Sequence, residues 1–522
     1  MTRRSLFRRS KVKSAMKRDN QEETINEPKI TTDLDENMKT IKDVLGNPAD
    51  LVVRELIIGE IETRAAIVYL SGITEEDLLN DNIMKAIQQN LKRFDNDLLE
   101  NIRKEVIAVT DIKNSNDFDD VCLAVLNGDS AFYLDGSQEV LLMGTSGGQN
   151  RSIEEPDTET LIRGPRDGFV ESMNTNMALI RRDIKIPNLR FEQHTVGGRS
   201  KQKLVVCHVE GLAHPELVEE VNRRIKSIDL DYVTDSSFVE QWIEDSFLSP
   251  FPQVLDTERP DVVSASVMQG KVGIIVDGSP FALIAPMTFN DGLSSPEDYT
   301  QRWLSASSLR LLRFLAAFIA IFLPGLYVAL ATFHPGMIPS TLAYSIAASR
   351  EGVPFPAVIE AILMALTFEL LHEAGIRLPN VIGQTIGIVG GLVIGEAAVN
   401  AGIVSPIMVI ITALTAIASF SIPSYSLSMG LRTLRFIALL AAGTLGLYGI
   451  ILVFIMIVAH IVNLKSFGIP YTAPFGPLYL QDLKDGIIRV PMTDLPRQTA
   501  HLKMSDAEFE HAPNEKRKNK KR

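Results

Sequence analysis

Phe314-Leu-Ala-Ala-Phe-Ile-Ala-Ile-Phe-Leu-Pro-Gly-Leu-Tyr-Val-Ala-Leu-Ala-Thr-Phe333 runs for twenty residues without a charge. A helix of that length crosses the roughly 30 Å hydrocarbon layer of a bilayer. Arg302, Arg310 and Arg313 lie on its N-terminal side, so the positive-inside tendency places the preceding region in the cytoplasm. A second uncharged stretch covers Phe436 to Val462, between Arg432 and Arg435 on one side and Lys465 on the other. From Leu378 to Leu431 the only charged side chain is Glu396, which allows two further spans turning at Asn400-Ala-Gly402. Pro356 to Ile376 is apolar overall but carries Glu360, Glu369, His372 and Glu373. As a fifth span it would put the basic C-terminus outside while leaving Arg377, Arg432 and Arg435 inside. The sequence is therefore read with four spans, 314–333, 381–399, 403–421 and 436–462, and with 356–376 as an interfacial, re-entrant or protein-buried helix.

Outward from this block the chain changes character. Its 522 residues suffice for two or three domains, and the first 300 alternate apolar and polar residues as a soluble protein does. The fold class expected is multi-domain: a soluble α/β N-terminal region of two related lobes, then an all-α transmembrane helical domain over 291–465. The net charge of −12 is unevenly spread. Arg3, Arg4, Arg8, Arg9, Lys11, Lys13, Lys17 and Arg18 form a basic arm with no apolar stretch behind it, so it is no secretory signal. With the polar segment that follows, residues 1–50 read as a disordered arm and linker, and 466–522, ending in a second basic run, as a cytoplasmic tail. A single aromatic residue, Phe7, lies among the basic ones, and no nucleic-acid partner is expected. Cys122 and Cys207 sit singly in apolar stretches, which suggests neither a disulfide framework nor a zinc site.

The soluble half repeats itself. Leu126-Asn-Gly-Asp-Ser-Ala-Phe-Tyr-Leu-Asp-Gly-Ser137 aligns with Met268-Gln-Gly-Lys-Val-Gly-Ile-Ile-Val-Asp-Gly-Ser279, both read as hairpins turning at Asp-Gly. Upstream, Ile67 to Gly72 aligns with Val206 to Gly211, so order and distance are both kept. Lobe 1 is placed at 51–150 and lobe 2 at 190–290, with a connecting helix in 151–189. Thr74 to Asp77 reads as the cap of a helix reaching about Arg93. Gly144-Thr-Ser-Gly-Gly148 satisfies G-x-S-x-G, but the polar loop after it is not the helix that a nucleophile elbow requires. Neither an enzyme activity nor a cofactor or metal is indicated.

Two features of the helical block are candidates for function. Gly383, Gly387, Gly391 and Gly395 recur every four residues, a stripe that lets another helix approach at backbone contact, from the same chain or from a second copy. Ionisable groups in apolar helices are costly and mark functional positions. Glu369, Glu373 and Arg377 make one stripe, Glu360 lies on nearly the opposite face, and Glu396 has no partner nearby in sequence. These four carboxylates are the candidate pore or gating groups, because acidic rings suit cation conduction.

Several segments together resemble the A subunit of the GerA-type spore germinant receptors. They are His334-Pro-Gly-Met-Ile-Pro339, Arg350-Glu-Gly-Val-Pro-Phe-Pro356, Glu373-Ala-Gly-Ile-Arg-Leu-Pro379 and the Gly383 to Gly395 segment, with Arg163 to Glu171, Pro296 to Arg302 and Phe475 to Pro477. The resemblance implies a non-enzymatic protein of the spore inner membrane that assembles with a permease-like B subunit and a lipoprotein C subunit. It further implies a homo-oligomer forming a nutrient-gated ion channel, acting in signal transduction to trigger spore germination. A secondary-transporter subunit and a membrane-anchored scaffold for partner proteins are the alternatives the residues leave open.

Overall fold

The computed structural model describes residues 29–58, 63–85, 87, 112–147, 155–377, 393–494 and 502. It divides into two compact units, one containing lobe 1 and the other containing lobe 2 with the helical domain.

Lobe 1 begins earlier than the apolar pattern suggests. Helix α1, Leu34–Leu45, lies inside the segment expected to be arm and linker. Its Leu34, Met38, Ile41 and Leu45 recur at helical spacing and are all buried. The Asp33 carboxylate accepts from Asp35 N at the start, and Gly46 closes the end in the left-handed region. Strands β1 (Leu51–Ile58), β2 (Thr63–Leu70), β3 (Ile112–Ser115), β4 (Ser130–Leu134) and β5 (Val140–Met143) form an antiparallel sheet in the order β1-β2-β4-β5-β3. Helix α2, Phe118–Leu126, precedes β4. The helix expected from Thr74 starts at Glu76 and passes into a π-helical turn over Leu79–Met84, while Thr74 itself makes a bridge to Ser146.

Lobe 2 repeats this plan. Helix α3 is Met173–Asp183, followed by β6 (Leu189–Val196) and β7 (Gln202–Val209). Then come α4 (Pro215–Lys226), α5 (Ser236–Ile243), β8 (Leu255–Thr257), α6 (Pro260–Met268), β9 (Val272–Val276) and β10 (Ala282–Ala285). The sheet order β6-β7-β9-β10-β8 matches lobe 1 strand for strand. The residues that tie the first helix to the sheet match as well. Leu34 N donates to Asp135 Oδ1 and Met173 N to Asp277 Oδ1, each at 3.2 Å. Gly136 N donates to Thr32 O, and Gly278 N to Glu171 O. Asn37 bonds both backbone groups of Thr31 as Asn176 does those of Val170. The segment read as a connecting helix is thus the opening helix of the second copy, and its counterpart is α1. Gly128 and Gly270 share a positive φ, and a Cβ would lie 2.6 Å from Ile73 O in one lobe and 2.8 Å from Leu212 O in the other. Only glycine fits there. Strands β4 and β9 are buried along their whole length, which explains their nearly continuous apolar sequences.

The helical domain packs against lobe 2. Helix α7, Trp303–Thr332, leaves lobe 2 and ends at Phe333, beside Gly446. Helix α8, Ser340–Arg350, lies at that far end, and α9, Ala357–Arg377, returns. Residues 393–400 are helical and lead to a turn where Gly402 approaches Gly352 O, again at the far end. Helix α10, Pro406–Phe420, comes back to the lobe-2 end, where Ser424 N bonds Gly292 O. Helices α11, Tyr425–Leu445, and α12, Leu447–Asn463, go out and return.

One expectation needs correction. The stretch 436–462 is not one span: Gly446, at φ 62° and ψ −139°, reverses the chain, and Gly449 packs against Ala441 O with no room for a Cβ. An unbroken apolar run cannot signal such a reversal. Of the three placements open to the charged segment 356–376, the structure has it packed among the other helices as α9, its Val358 against Gly443 and its His372 ring 5.2 Å from the Phe420 ring. Among the described residues, α7 and α11 are long and apolar enough to cross a bilayer, while α10 and α12 are apolar but shorter.

The tail after α12 is also folded in part. Lys465–Ser466 pairs with Ile469–Pro470 in a small hairpin, and Ser466 Oγ both donates to Gln253 O and accepts from Met287 N. Phe467 is buried in the lobe-2 core, with the Arg224 guanidinium 4.2 Å from its ring centre.

Candidate functional site in the helical domain

The four candidate carboxylates separate into two kinds. Glu360, in the first turn of α9, is fully buried. Its Oε1 accepts from Arg350 Nε at 3.2 Å, and its Oε2 accepts from Ser405 N at 3.0 Å and Ser405 Oγ at 2.9 Å. One carboxylate therefore joins the end of α8, the start of α9 and the N-cap of α10. Glu369, nine residues on, sits between Arg432 and Arg435 of α11, at 3.3 and 3.1 Å. Both arginines are buried, and the Nε of each has no hydrogen-bond partner. A single carboxylate facing two buried guanidinium groups leaves one positive charge in excess.

Glu373 and Glu396 are different. Glu373 is exposed and, among the described residues, pairs with Arg377, one turn along the same helix. Glu396 is exposed on the helical segment 393–400. Gly395 is buried, and a Cβ there would lie 3.3 Å from Val409 Cγ1 of α10, so this member of the glycine stripe serves packing within the chain. Gly383, Gly387 and Gly391 lie outside the described residues.

At the lobe-2 end a third charged group was not foreseen. Asp298 is fully buried and accepts from Arg310 Nε at 2.8 Å and from Arg313 Nη1 at 2.9 Å. Arg310 also donates to Asp485 Oδ1 and O, and Arg489 donates to Asp298 O. Tyr299 OH donates to the other oxygen of Asp485 at 2.7 Å; burial, followed by the charge of Asp485, pushes its phenol above the ordinary range. Arg310 and Arg313, taken from sequence as cytoplasmic flanking charges, and Arg432 and Arg435, noted there ahead of the last apolar stretch, are thus buried partners of acids. Their i, i+3 spacing was visible; the acids they meet are far away in sequence or, like Asp298, in a polar stretch.

A cavity of about 680 Å³ opens beside this cluster, lined among others by Glu159, Arg259, Lys271, Asp291, Phe420 and Ser424. Burial raises the Glu159 carboxyl to about 7, against the opposing hydrogen bond from Thr257. Burial acts upward on Asp291 too, but Lys271 at 2.7 Å outweighs it and holds that carboxyl below its ordinary value. The cavity joins lobe 2 to the α10–α11 loop, so a change in one can be felt in the other.

The chain is thus a pair of repeated α/β lobes followed by an apolar helical bundle with ion pairs inside it. The family described as Bacillus/Clostridium GerA spore germination protein matches residues 39–500. Spore germination protein GerLA of Bacillus cereus is 47% identical over 90% of this chain and 96% of its own length. Spore germination proteins KA and B1 of Bacillus subtilis are 42% and 41% identical, over 88% and 90% of this chain and 85% and 97% of theirs. None of these three carries an enzyme's name. The solved N-terminal domain of the A subunit of the Bacillus megaterium spore germinant receptor GerK3 is 33% identical, covering 50% of this chain and 98% of that one, with a TM-score of 0.41. The chain belongs to the GerA family of spore germination proteins.

Proposed function

We propose that this chain is the A subunit of a germinant receptor in the spore inner membrane and that copies of it assemble around an axis into a nutrient-gated ion channel. A permease-like B subunit and a lipoprotein C subunit are its partners, and the two lobes face the cytoplasm. On this reading the outgoing helices α7 and α11, the span expected from sequence over 381–399 and the returning helices α9, α10 and α12 cross the membrane, which puts both ends of the bundle on the lobe-2 side.

The observation that carries the proposal is the exposure of Glu373 and Glu396 on an otherwise apolar bundle. A carboxylate facing lipid is expensive, and the cost disappears if that face lines water or meets another subunit. The ion pairs at Glu360 and Glu369 then serve as latches between helices, and the earlier glycines of the stripe, Gly383, Gly387 and Gly391, as a contact between copies. A ligand bound by a partner opens the path only if it favours one arrangement of these latches over the other.

Reconstitution of the chain with both partner subunits tests the reading. A nutrient-dependent cation current is expected, reduced several-fold by Glu396→Gln with assembly unchanged. A monomeric chain in a complex that still responds to nutrient would sink the ring.

A further inference from the structure

Between α5 and β8 the chain makes a tight turn, Ser246-Phe247-Leu248-Ser249, closed by Ser249 N donating to Ser246 O at 3.3 Å. Turn centres ordinarily carry Gly, Pro, Asn, Asp or Ser, whose backbone habits or short polar side chains suit them. Here they are Phe and Leu, and these are 73% and 81% exposed.

The turn is held firmly. Gln253, fully buried, accepts from Ser246 N and donates to Ser246 O, each at 2.9 Å, and Gln253 N donates to Glu244 Oε1. Ser249 Oγ accepts from Phe251 N and is bonded to His460 Nε2 of α12 at 2.9 Å. Pro250 O packs onto Gly430 of α11 where no Cβ would fit, and the Phe251 ring stacks on His460. The turn is thereby fixed to the lobe-2 ends of two apolar helices. Met429 and Val462, each within a turn of those contacts, are themselves exposed, as are the aromatic residues Tyr425 and Trp303 at the same end of the bundle. Aromatic residues gather where a span meets the headgroups.

We infer that Phe247 and Leu248 insert into the headgroup and acyl boundary of the bilayer, making this turn an anchor that fixes lobe 2 to the membrane surface. The inference rests on the reading of the bundle as membrane-spanning. Lipid is the occupant that fits, because two projecting side chains continuous with exposed apolar helix ends suit a fluid boundary, whereas a stable protein contact needs about 800 Å² on each partner.

The test uses the full chain in lipid vesicles with an environment-sensitive fluorophore at Leu248→Cys, and separately at Ile455→Cys in the middle of α12. Cys122 and Cys207 are buried, so the introduced thiol is the accessible one among the described residues. The label at 248 is expected to be quenched about twofold more by a nitroxide placed shallow in the acyl chain than by one placed deep, and shielded from aqueous iodide. The label at 455 should show the opposite depth preference. Quenching at 248 by iodide alone, with 455 still reporting lipid, overturns the anchor and leaves the spanning bundle standing. Shielding of 248 from both quenchers overturns it in favour of a protein cover. A label at 455 that reports water overturns the spanning reading and the anchor together.

Discussion

Lobe 1 and lobe 2 have the same strand order, the same asparagine clasp and the same aspartate holding the first helix, yet they close their cores differently. In lobe 1 the buried cluster of Ile67, Tyr69, Phe132 and Leu141 is completed by residues of the segment around Leu79–Ile87. In lobe 2 the equivalent cluster takes in Phe467, from beyond the helical domain. Lobe 2 also has a bond from Ser426 Oγ to Asp256 and the Asp298 cluster at the foot of α7. Duplication supplied two similar parts, and attachment to the bundle made one of them dependent on the rest of the chain.

The sharpest way to break this comparison is Asp298→Ala. It would leave Arg313 without its carboxylate and Arg310 with Asp485 alone, and losing one partner of a buried pair costs about 3–5 kcal/mol. Thermal unfolding should show lobe 2 and the bundle falling together while hydrogen exchange in lobe 1 is unchanged; coupled loss in lobe 1 would refute its independence. Phe467→Ala should come next, at about 3 kcal/mol for the cavity left in the core. Its effect should appear as faster exchange in β7 and β9 and not in β2 and β4.

Asn37→Ala and Asn176→Ala form a matched pair. Each leaves buried backbone groups unsatisfied, at about 1–3 kcal/mol, and each should loosen its own lobe to a similar degree. A large loss from one and none from the other would mean that the two clasps are not equivalent.

The last effect concerns pH and belongs to lobe 2. Burial first, then the charges of Asp256, Glu244 and Asp235, raises the Glu240 carboxyl to about 8 from its ordinary 4.5. The unfolded chain releases this proton at lower pH than the folded one, so lobe 2 loses stability as pH rises from 4.5 to about 8 and levels off above that. Glu240→Gln should flatten that part of the stability profile. An unchanged slope would assign it to another group.

Much of this was legible in the chain. The Asp-Gly hairpins and the spacing of Ile67 to Gly72 against Val206 to Gly211 revealed the repeat, because turns and strands are local. The opening helix α1 was legible too, in Leu34, Met38, Ile41 and Leu45, but the acids around them made the segment look like a linker. Of the candidate carboxylates, Glu360 proved to be internal and Glu369, partly exposed, to be paired with buried arginines. Their partners at Arg350, Ser405, Arg432 and Arg435 are set by how helices cross, which periodicity does not encode. The reversal at Gly446 left only a glycine in an apolar run as its mark.

The placement of Phe467 also bears on how the protein is made. The last strand of the lobe-2 sheet, β10, leaves the ribosome roughly 180 residues before Phe467, an interval of about ten to forty seconds at ordinary rates of synthesis. During that interval lobe 1 can finish folding, whereas lobe 2 must wait, one apolar site unfilled, for the bundle helices to be synthesised. Completion of the two-lobed half thus reports that the helical half has been made, so a chain truncated within the bundle would carry an unfinished lobe open to proteolysis.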